Sequence, residues 1–190
     1  MTQKTRTWPL AEAREVAEDL ITLLGSTCER IQVAGSMRRL IPMVGDIELL
    51  AISKTLPAYV SNPLSGAPLG YILLDTRVAE LIAKGILDFR LNKRGSRTFG
   101  RWNKLLVHVP SGVPVDLFST TEENWGMALL VRTGSAPFCV RVMRRLLDLG
   151  HHGHAYGGIT LKSGQEVSCP TEEEVFQILG WEWIEPPQRE

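Results

Sequence analysis

An apolar segment that carries two acidic residues constrains this fold more than any other feature of the sequence. Residues 46–53 read DIELLAIS, so Asp46 and Glu48 stand two positions apart in a run that otherwise has the composition of a buried strand. Because side chains alternate along a strand, both carboxylates leave the same face. Adjacent carboxylates in apolar surroundings repel each other and lose hydration, so they require cations nearby. The segment therefore predicts a cation-binding edge on a sheet.

A third acidic residue interrupts another apolar run. Residues 113–118 read VPVDLF, which predicts a strand with Asp116 near its middle. If the two strands are neighbours, three carboxylates converge on one spot. Carboxylate oxygens suit magnesium or manganese, and three acids are the usual protein share of a two-metal site. Taken singly, each acid is equally compatible with a strand end or a turn.

A glycine and a serine follow a predicted strand at residues 30–34, and this pattern fits phosphate binding. Gly35 lets the backbone approach a phosphate closely, and the Ser36 hydroxyl is a donor to its oxygens. Arg39 supplies a planar guanidinium that can clamp a phosphate. The chain contains neither a P-loop motif nor a dinucleotide fingerprint. A glycine–serine pair alone usually marks a turn, so the hypothesis depends on the acids that follow.

Charge is balanced over the chain but unevenly distributed along it. The 190 residues contain 21 Lys and Arg against 21 Asp and Glu, so the formal net charge is zero. Residues 84–104 hold seven basic side chains against one acid, and residues 132–145 hold four arginines and no acid. Acidic residues concentrate after residue 165. A chain this bipolar can present a basic groove to nucleic acid while remaining neutral overall.

Composition excludes several classes of protein. Hydrophobic residues make up 44% and charged residues 22%, which is typical of a folded globular chain. No apolar run reaches the ~18 residues that a membrane span requires, so we expect no membrane partner. Three widely separated cysteines suit buried thiols in a reducing cytoplasm better than disulfides or a zinc site: Cys28, Cys139 and Cys169.

Hydrophobic periodicity predicts an α/β alternation without internal repeats. The predicted helices are residues 9–24, 73–84, 137–149 and 171–179, the last behind a capping box from Thr171 to Glu174. The predicted strands are residues 30–34, 46–53, 87–91, 105–109 and 113–118. Residues 56–70 are predicted to be a loop, residues 110–112 a turn, and residues 122–133 the boundary between two lobes.

Together these segments resemble a known family. The sequences VAGSMRR at residues 33–39 and GDIELL at residues 45–50 are similar to the motif of the nucleotidyltransferase superfamily, specifically of family X DNA polymerases. The resemblance continues in order through residues 115–118, 133–135, 150–156 and 171–190. It implies an α/β (α+β) palm with a mixed sheet flanked by helices in residues 1–125, and a small C-terminal α/β thumb in residues 126–190.

The resemblance also implies the chemistry and its residues. The implied activity is DNA-directed addition of deoxynucleoside triphosphates to a primer 3′-hydroxyl, typically to fill short gaps during DNA repair. Two Mg²⁺ ions, with Mn²⁺ as an alternative, would bind the catalytic residues Asp46, Glu48 and Asp116. The nucleotide would contact Gly35, Ser36, Arg39, Arg132, Thr133 and Gly134. In the family the peptide between the glycine and serine of the TGS turn is cis, which implies a cis bond between Gly134 and Ser135.

The basic patches become candidate DNA contacts in this interpretation. The residues concerned are Lys93, Arg94, Arg97, Arg101, Lys104, Arg141 and Arg144. A solvated hairpin without DNA contact is the simpler interpretation of the first five. We further expect a monomer that binds a primer–template or gapped DNA, in the cytoplasm of a bacterium or encoded by a virus.

Three departures from the family lead to separate expectations. Glu48 stands where these polymerases usually have aspartate, and its extra methylene predicts a preference for manganese over magnesium. Val131 and Arg132 replace an aromatic pair that packs on the sugar, which predicts weakened discrimination against ribonucleotides. Only some 30 residues precede Gly35, so we expect no N-terminal lyase domain.

Other functions and other site residues remain open at this stage. The alternatives are a template-independent transferase, transfer of a nucleotide to RNA, a protein or a small molecule, and a non-catalytic module that binds DNA ends. A histidine-rich segment at residues 151–154 has no partner at ligand spacing, so we interpret it as structural. The tryptophans are interpreted as core or interface residues and not as base-stacking platforms: Trp102, Trp125, Trp181 and Trp183.

Overall fold

A five-stranded mixed sheet lies at the centre of the computed structural model, which describes residues 6–56, 71–154 and 156–190. The helices are α1 (Leu10–Gly25), α2 (Gly35–Arg38), α3 (Leu73–Ala83), α4 (Trp125–Thr133), α5 (Ala136–Asp148) and α6 (Glu172–Leu179). The strands are β1 (Trp8–Pro9), β2 (Cys28–Val33), β3 (Met43–Val44), β4 (Ile47–Ser53), β5 (Thr55–Leu56), β6 (Tyr71–Ile72), β7 (Leu87–Phe89), β8 (Asn103–His108), β9 (Pro114–Ser119), β10 (His152–Gly153), β11 (Ile159–Thr160) and β12 (Glu166–Val167).

The strands of the central sheet follow the order β2-β4-β9-β8-β7. The pair β4–β9 is parallel, and the other three pairs are antiparallel. All five strands were predicted from the sequence, with ends that differ by at most two residues. The mixed α/β class is therefore confirmed. The neighbouring positions of β4 and β9, on which the convergence of the acids depends, are observed directly.

One face of the sheet packs on the first and third helices. In α1 the buried residues recur every three or four positions, as a helix that lies on a sheet requires: Ala13, Ala17, Leu20 and Leu24. They form one core with Ile47, Leu49 and Ala51 of β4 and with Val115 and Leu117 of β9. Since side chains alternate, the residues between them point to the opposite face.

The opposite face carries both acids and apolar side chains. Leu50 and Phe118 lie on it and pack against Trp125, Ala128 and Leu129 at the start of α4. Glu48 and Asp116 precede Leu50 and Phe118 by two positions and therefore share their face. Helix α4 covers the apolar part of this face. Glu48 and Asp116 lie beside the covered part.

The C-terminal helices enclose a separate core. It contains Met127, Leu130, Phe138, Val142, Leu146, Val175, Phe176 and Leu179 together with Ile159 and Cys169. Helix α4 approaches the start of α6 so closely that a Cβ on Gly126 would lie 1.9 Å from the Thr171 carbonyl oxygen. The predicted capping box is present: the Thr171 hydroxyl accepts from the Glu174 amide, and the Glu174 carboxylate accepts from the Thr171 amide.

The remaining expectations about local structure have mixed outcomes. The predicted helices are observed at 10–25, 73–83, 136–148 and 172–179, and the turn at 110–112 closes through a Gly112 amide bond to the His108 carbonyl of 2.8 Å. The predicted loop at 56–70 lies, apart from Leu56, outside the described residues. The pairing of β1 with β3 and the small sheet β10-β11-β12 were not predicted. In the part of the chain that is described, no helix is long and apolar enough to span a bilayer.

Candidate active site

The three predicted acids lie together at the beginning of the parallel strand pair. Glu48 and Asp116 are direct partners in the register of β4 and β9, so their side chains leave the same face at the same level. Asp46 is the residue before β4 and lies one pleat further toward the strand's start. The structure thus brings together the carboxylates that sequence spacing alone could only place on two separate strands.

The acids strongly affect one another's ionisation. Burial, followed by repulsion from Asp46 and Asp116, raises the pKa of Glu48 to about 8. Burial and the charge of Asp116 raise the pKa of Asp46 above its usual range. Burial also raises the pKa of Asp116, although Arg90 and Arg132 oppose the rise. A bound cation would relieve the repulsion among these carboxylates, after displacing any proton that they hold.

The cations next to the acids are arginine side chains. Arg90 donates from Nη2 to Asp116 Oδ1 and forms an ion pair with it. The Arg132 guanidinium stacks on the Phe118 ring at 3.7 Å from its centroid, and its charge lowers the pKa values of Glu48 and Asp116. Arg39 lowers the pKa of Glu48 as well.

The donor set fits a divalent metal in type and charge. Asp46, Glu48 and Asp116 offer only carboxylate oxygens, which Mg²⁺ and Mn²⁺ prefer. Within the described ranges, no group of three acidic, histidine or cysteine side chains is arranged to hold a metal ion. Coordination therefore requires the carboxylates to reorient and Arg90 to leave Asp116.

The glycine before α2 is fitted closely to the acid site. Gly35 has a φ of 65°, and a Cβ at this position would lie 2.0 Å from Oε2 of Glu48. The Ala34 amide also donates to the Glu48 carbonyl at 2.8 Å. Ser36, the next residue, is partly exposed. The predicted phosphate turn and the acid strand are thus in direct contact.

Arg39, the predicted phosphate clamp, is engaged by the C-terminal part of the chain. Its Nη1 donates to the Thr133 carbonyl at 2.6 Å, and its Nε donates to Oε1 of Glu190 at 3.0 Å. Its side chain is 14% exposed. The Glu190 carboxylate therefore already occupies an anion-binding position on this guanidinium.

Thr133 belongs to a buried ionic network that sequence analysis missed. Arg38 donates to the Thr133 hydroxyl at 2.8 Å and to both carboxylate oxygens of Glu172, at 2.8 and 2.6 Å. Arg189 donates to the same Glu172 carboxylate at 2.5 Å. Glu172 and Arg189 are almost fully buried. Only the RR pair at 38–39 hinted at such a network, since nothing local relates residues more than 130 positions apart.

The expected cis peptide between Gly134 and Ser135 is wrong. The described residues contain no cis peptide bond. With the trans peptide, the Ser135 amide donates to the Arg189 carbonyl at 2.9 Å, and the Ser135 hydroxyl accepts from the Phe138 amide as the N-cap of α5. The turn therefore satisfies its polar groups by starting a helix.

Four of the five basic residues predicted in the hairpin between β7 and β8 are exposed: Lys93, Arg94, Arg97 and Arg101. The prediction that Lys104 contacts DNA is wrong, because its side chain is fully buried. Its ammonium group is paired with Asp75 at 2.7 Å and donates to the Gly100 carbonyl at 3.0 Å, so it is not available to DNA. Arg90, at the root of this hairpin, contacts the acid site and was not predicted to do so.

The arginines predicted on α5 differ in their surroundings. Arg144 is exposed beside an apolar groove, whereas Arg141 donates to the Glu190 carbonyl at 2.9 Å. The structure does not bring either residue into contact with the acid cluster.

The histidine-rich segment and the tryptophans have structural contacts. His154 hydrogen-bonds Thr160 at 2.8 Å, and His151 Nδ1 accepts from the Lys162 amide. Trp125 is buried, and Trp181 and Trp183 pack edge-on against Phe138 and Phe176. The histidine contacts and the burial of Trp125 agree with the structural interpretation, whereas Trp183 is 39% exposed.

Comparison with known families identifies the C-terminal part of the chain. Residues 128–190 match the family model of the DNA polymerase beta thumb. The matched segment runs from within α4 to residue 190 and includes Thr133 and Glu172, which accept from Arg38, and Arg189, which donates to Glu172. No curated protein matches the chain significantly.

Proposed function

We propose that the chain is a family X DNA polymerase-like protein that transfers deoxynucleotides to a primer 3′-hydroxyl, because its residues 128–190 match the family model of the DNA polymerase beta thumb. The observation that carries this proposal is the in-register pairing of Glu48 with Asp116 beside Asp46. A nucleic-acid-binding thumb and a three-carboxylate edge are the two parts that a polymerase of this type needs.

The chain's own residues divide the work of transfer among them. Asp46, Glu48 and Asp116 would hold two Mg²⁺ or Mn²⁺ ions, which supply activation of the primer hydroxyl and stabilisation of the pyrophosphate leaving group. Asp116 would accept the proton of the 3′-hydroxyl. Arg39 would bind the β and γ phosphates after Glu190 leaves its guanidinium.

The nucleotide and the DNA would contact further predicted residues. Gly35 and Ser36 would present the backbone and a hydroxyl to the triphosphate, beside Glu48. Arg132 would lie against the sugar from its position on the Phe118 ring. The exposed basic residues of the β7–β8 hairpin would bind the DNA backbone. Filling of short gaps in DNA repair is the role that we propose for this activity.

The test is extension of one labelled primer on single-stranded, open-template and one-nucleotide-gap substrates, each with magnesium and with manganese. We expect template-directed addition, fastest in the gap. Addition without a template would replace the repair role by terminal transfer, and no addition on any substrate would refute DNA polymerisation.

The test of the catalytic role is the variant Asp116→Asn, which keeps the size of the side chain and removes its charge. We expect this variant to lose transfer while still binding the nucleotide. Turnover equal to that of the unmodified protein would refute the assignment of Asp116 as a catalytic residue.

A further inference from the structure

An arginine is paired with one of the three acids. Arg90 forms an ion pair with Asp116. Its charge also acts on Asp46. The protein's own cation therefore occupies one of the two carboxylate oxygens of Asp116.

The backbone holds Arg90 at the level of Asp116. The Arg90 amide donates to the Leu105 carbonyl at 3.0 Å, and Leu105 is the register partner of Asp116 in β8. The guanidinium thus reaches across one strand to the acid. The side chains are 32% and 15% exposed, so this ion pair is shielded far more than a surface pair.

The contacts of Arg90 leave it able to change partners. Its Nε is buried and has no hydrogen-bond partner among the described residues. Arg90 also begins the hairpin whose exposed tip carries Lys93 and Arg94. A nucleic-acid phosphate bound at this hairpin would offer the guanidinium a second anion close to the first.

We propose that Arg90 is a positioning residue that stands in for a metal ion at Asp116 and is exchanged for one when nucleic acid binds. A divalent cation and Arg90 compete for the same carboxylate, so the free protein binds metal weakly. A phosphate that draws Arg90 toward the hairpin releases Asp116, so nucleic acid and metal strengthen each other's binding. This inference rests on the proposed function of the three acids.

The test measures Mn²⁺ binding by electron paramagnetic resonance, without nucleotide, to the folded protein and to its variants. We expect Arg90→Gln to bind Mn²⁺ about tenfold more tightly, because one positive charge next to the acids is gone. Arg90→Lys keeps the charge and should bind Mn²⁺ more weakly than Arg90→Gln. The control is Lys84→Gln, which removes an exposed charge from the end of α3 and should leave the affinity unchanged.

A short DNA duplex supplies the second measurement. We expect it to tighten Mn²⁺ binding to the unmodified protein and to have a much smaller effect on Arg90→Gln, which has no competitor to remove. Circular dichroism of each variant establishes that it is folded.

The outcomes separate this inference from the proposed function. Equal Mn²⁺ affinity in Arg90→Gln and the unmodified protein would overturn the role of Arg90, while weaker binding by Asp116→Asn would leave the metal site standing. If no protein binds Mn²⁺ with or without DNA, both proposals fail.

Discussion

Glu48 is the residue whose protonation is most displaced from its ordinary behaviour. It is surrounded by Asp46 and Asp116 on one side and by the charges of Arg132 and Arg39 on the other. Burial and the two acids prevail, so its pKa rises from 4.5 to about 8. In the metal-free protein Glu48 is therefore protonated at neutral pH, and a metal ion that binds it must displace a proton.

The first prediction concerns stability against pH. Between pH 4.5 and about 8 the folded protein keeps the Glu48 proton that the unfolded chain has released, so the free energy of unfolding falls as the pH rises. The raised pKa values of Asp46 and Asp116 act in the same direction. Urea denaturation in the presence of a chelator measures this at pH 5 and at pH 8.5. Glu48→Gln should flatten the dependence, and an unchanged slope in this variant would contradict the assignment.

The second prediction concerns Gly35. An alanine there places its Cβ 2.0 Å from the Glu48 carboxylate at a φ of 65°, so the carboxylate must move. We expect primer extension to fall about a hundredfold, because displaced ligands misalign the reacting groups. Gly45→Ala is the matched control, since a Cβ on Gly45 has no neighbour within 4 Å. Equal rates for the two variants would show that the Gly35 contact is unimportant.

At the scale of elements, one buried carboxylate of α6 forms hydrogen bonds to arginines outside this helix. Glu172, in the first turn of α6, accepts from Arg38 at the end of α2 and from Arg189 near the C-terminus. Its side chain is only 4% exposed. A single carboxylate is thus shared by two largely buried guanidinium groups.

The third prediction follows from this arrangement. Glu172→Gln leaves both guanidinium groups without a counter-charge, and we expect it to destabilise the protein by about 3 kcal/mol. Glu173→Gln alters the adjacent, exposed acid of the same helix turn and should change stability by less than about 0.5 kcal/mol. Thermal denaturation of the two variants measures the difference, and similar midpoints would refute the role of Glu172.

The fourth prediction concerns the hairpin between β7 and β8. Replacing Arg94, Arg97 and Arg101 by glutamine removes three exposed charges from it. If each neutralises a phosphate, the slope of log affinity for DNA against log salt should become shallower by about three units. Lys104→Met is the contrasting change: it should lower stability, because Asp75 loses its partner, and leave the salt dependence nearly unaltered. A salt dependence that is unchanged in the triple variant supports a solvated hairpin instead.

For the molecule as a whole, the sequence predicts the helices and strands better than it predicts the partners of the buried charged side chains. The strands β4 and β9 and the helix α6 carry strong local signals, namely apolar runs with acids at fixed positions and a capping box. The pairs β1–β3 and β10–β11 have strands of two residues, which are too short to show any periodicity.

The partners of the buried charged side chains could not be predicted from the sequence, for a different reason. The contacts Arg90–Asp116, Lys104–Asp75 and Arg38–Glu172 join residues that are distant in the chain. Each contact depends on the strand order and on the register of the strands. A count of basic residues gives no information about either. Lys104 illustrates the resulting error. A basic stretch predicts a solvent-exposed side chain, but Lys104 is buried where α3 packs against the hairpin and pairs with Asp75.

The register of β4 against β9 has a consequence for insertions and deletions. Both faces of β4 are apolar beyond Glu48, so Leu49 and Leu50 would be accommodated almost as well if the strand slipped by one residue. Such a slip would turn Glu48 toward α1 and away from Asp116. Loss of a single codon within either strand would therefore separate Glu48 from Asp116 even where the apolar residues still found partners. These two strands should tolerate exchanges among apolar residues far better than any change in length.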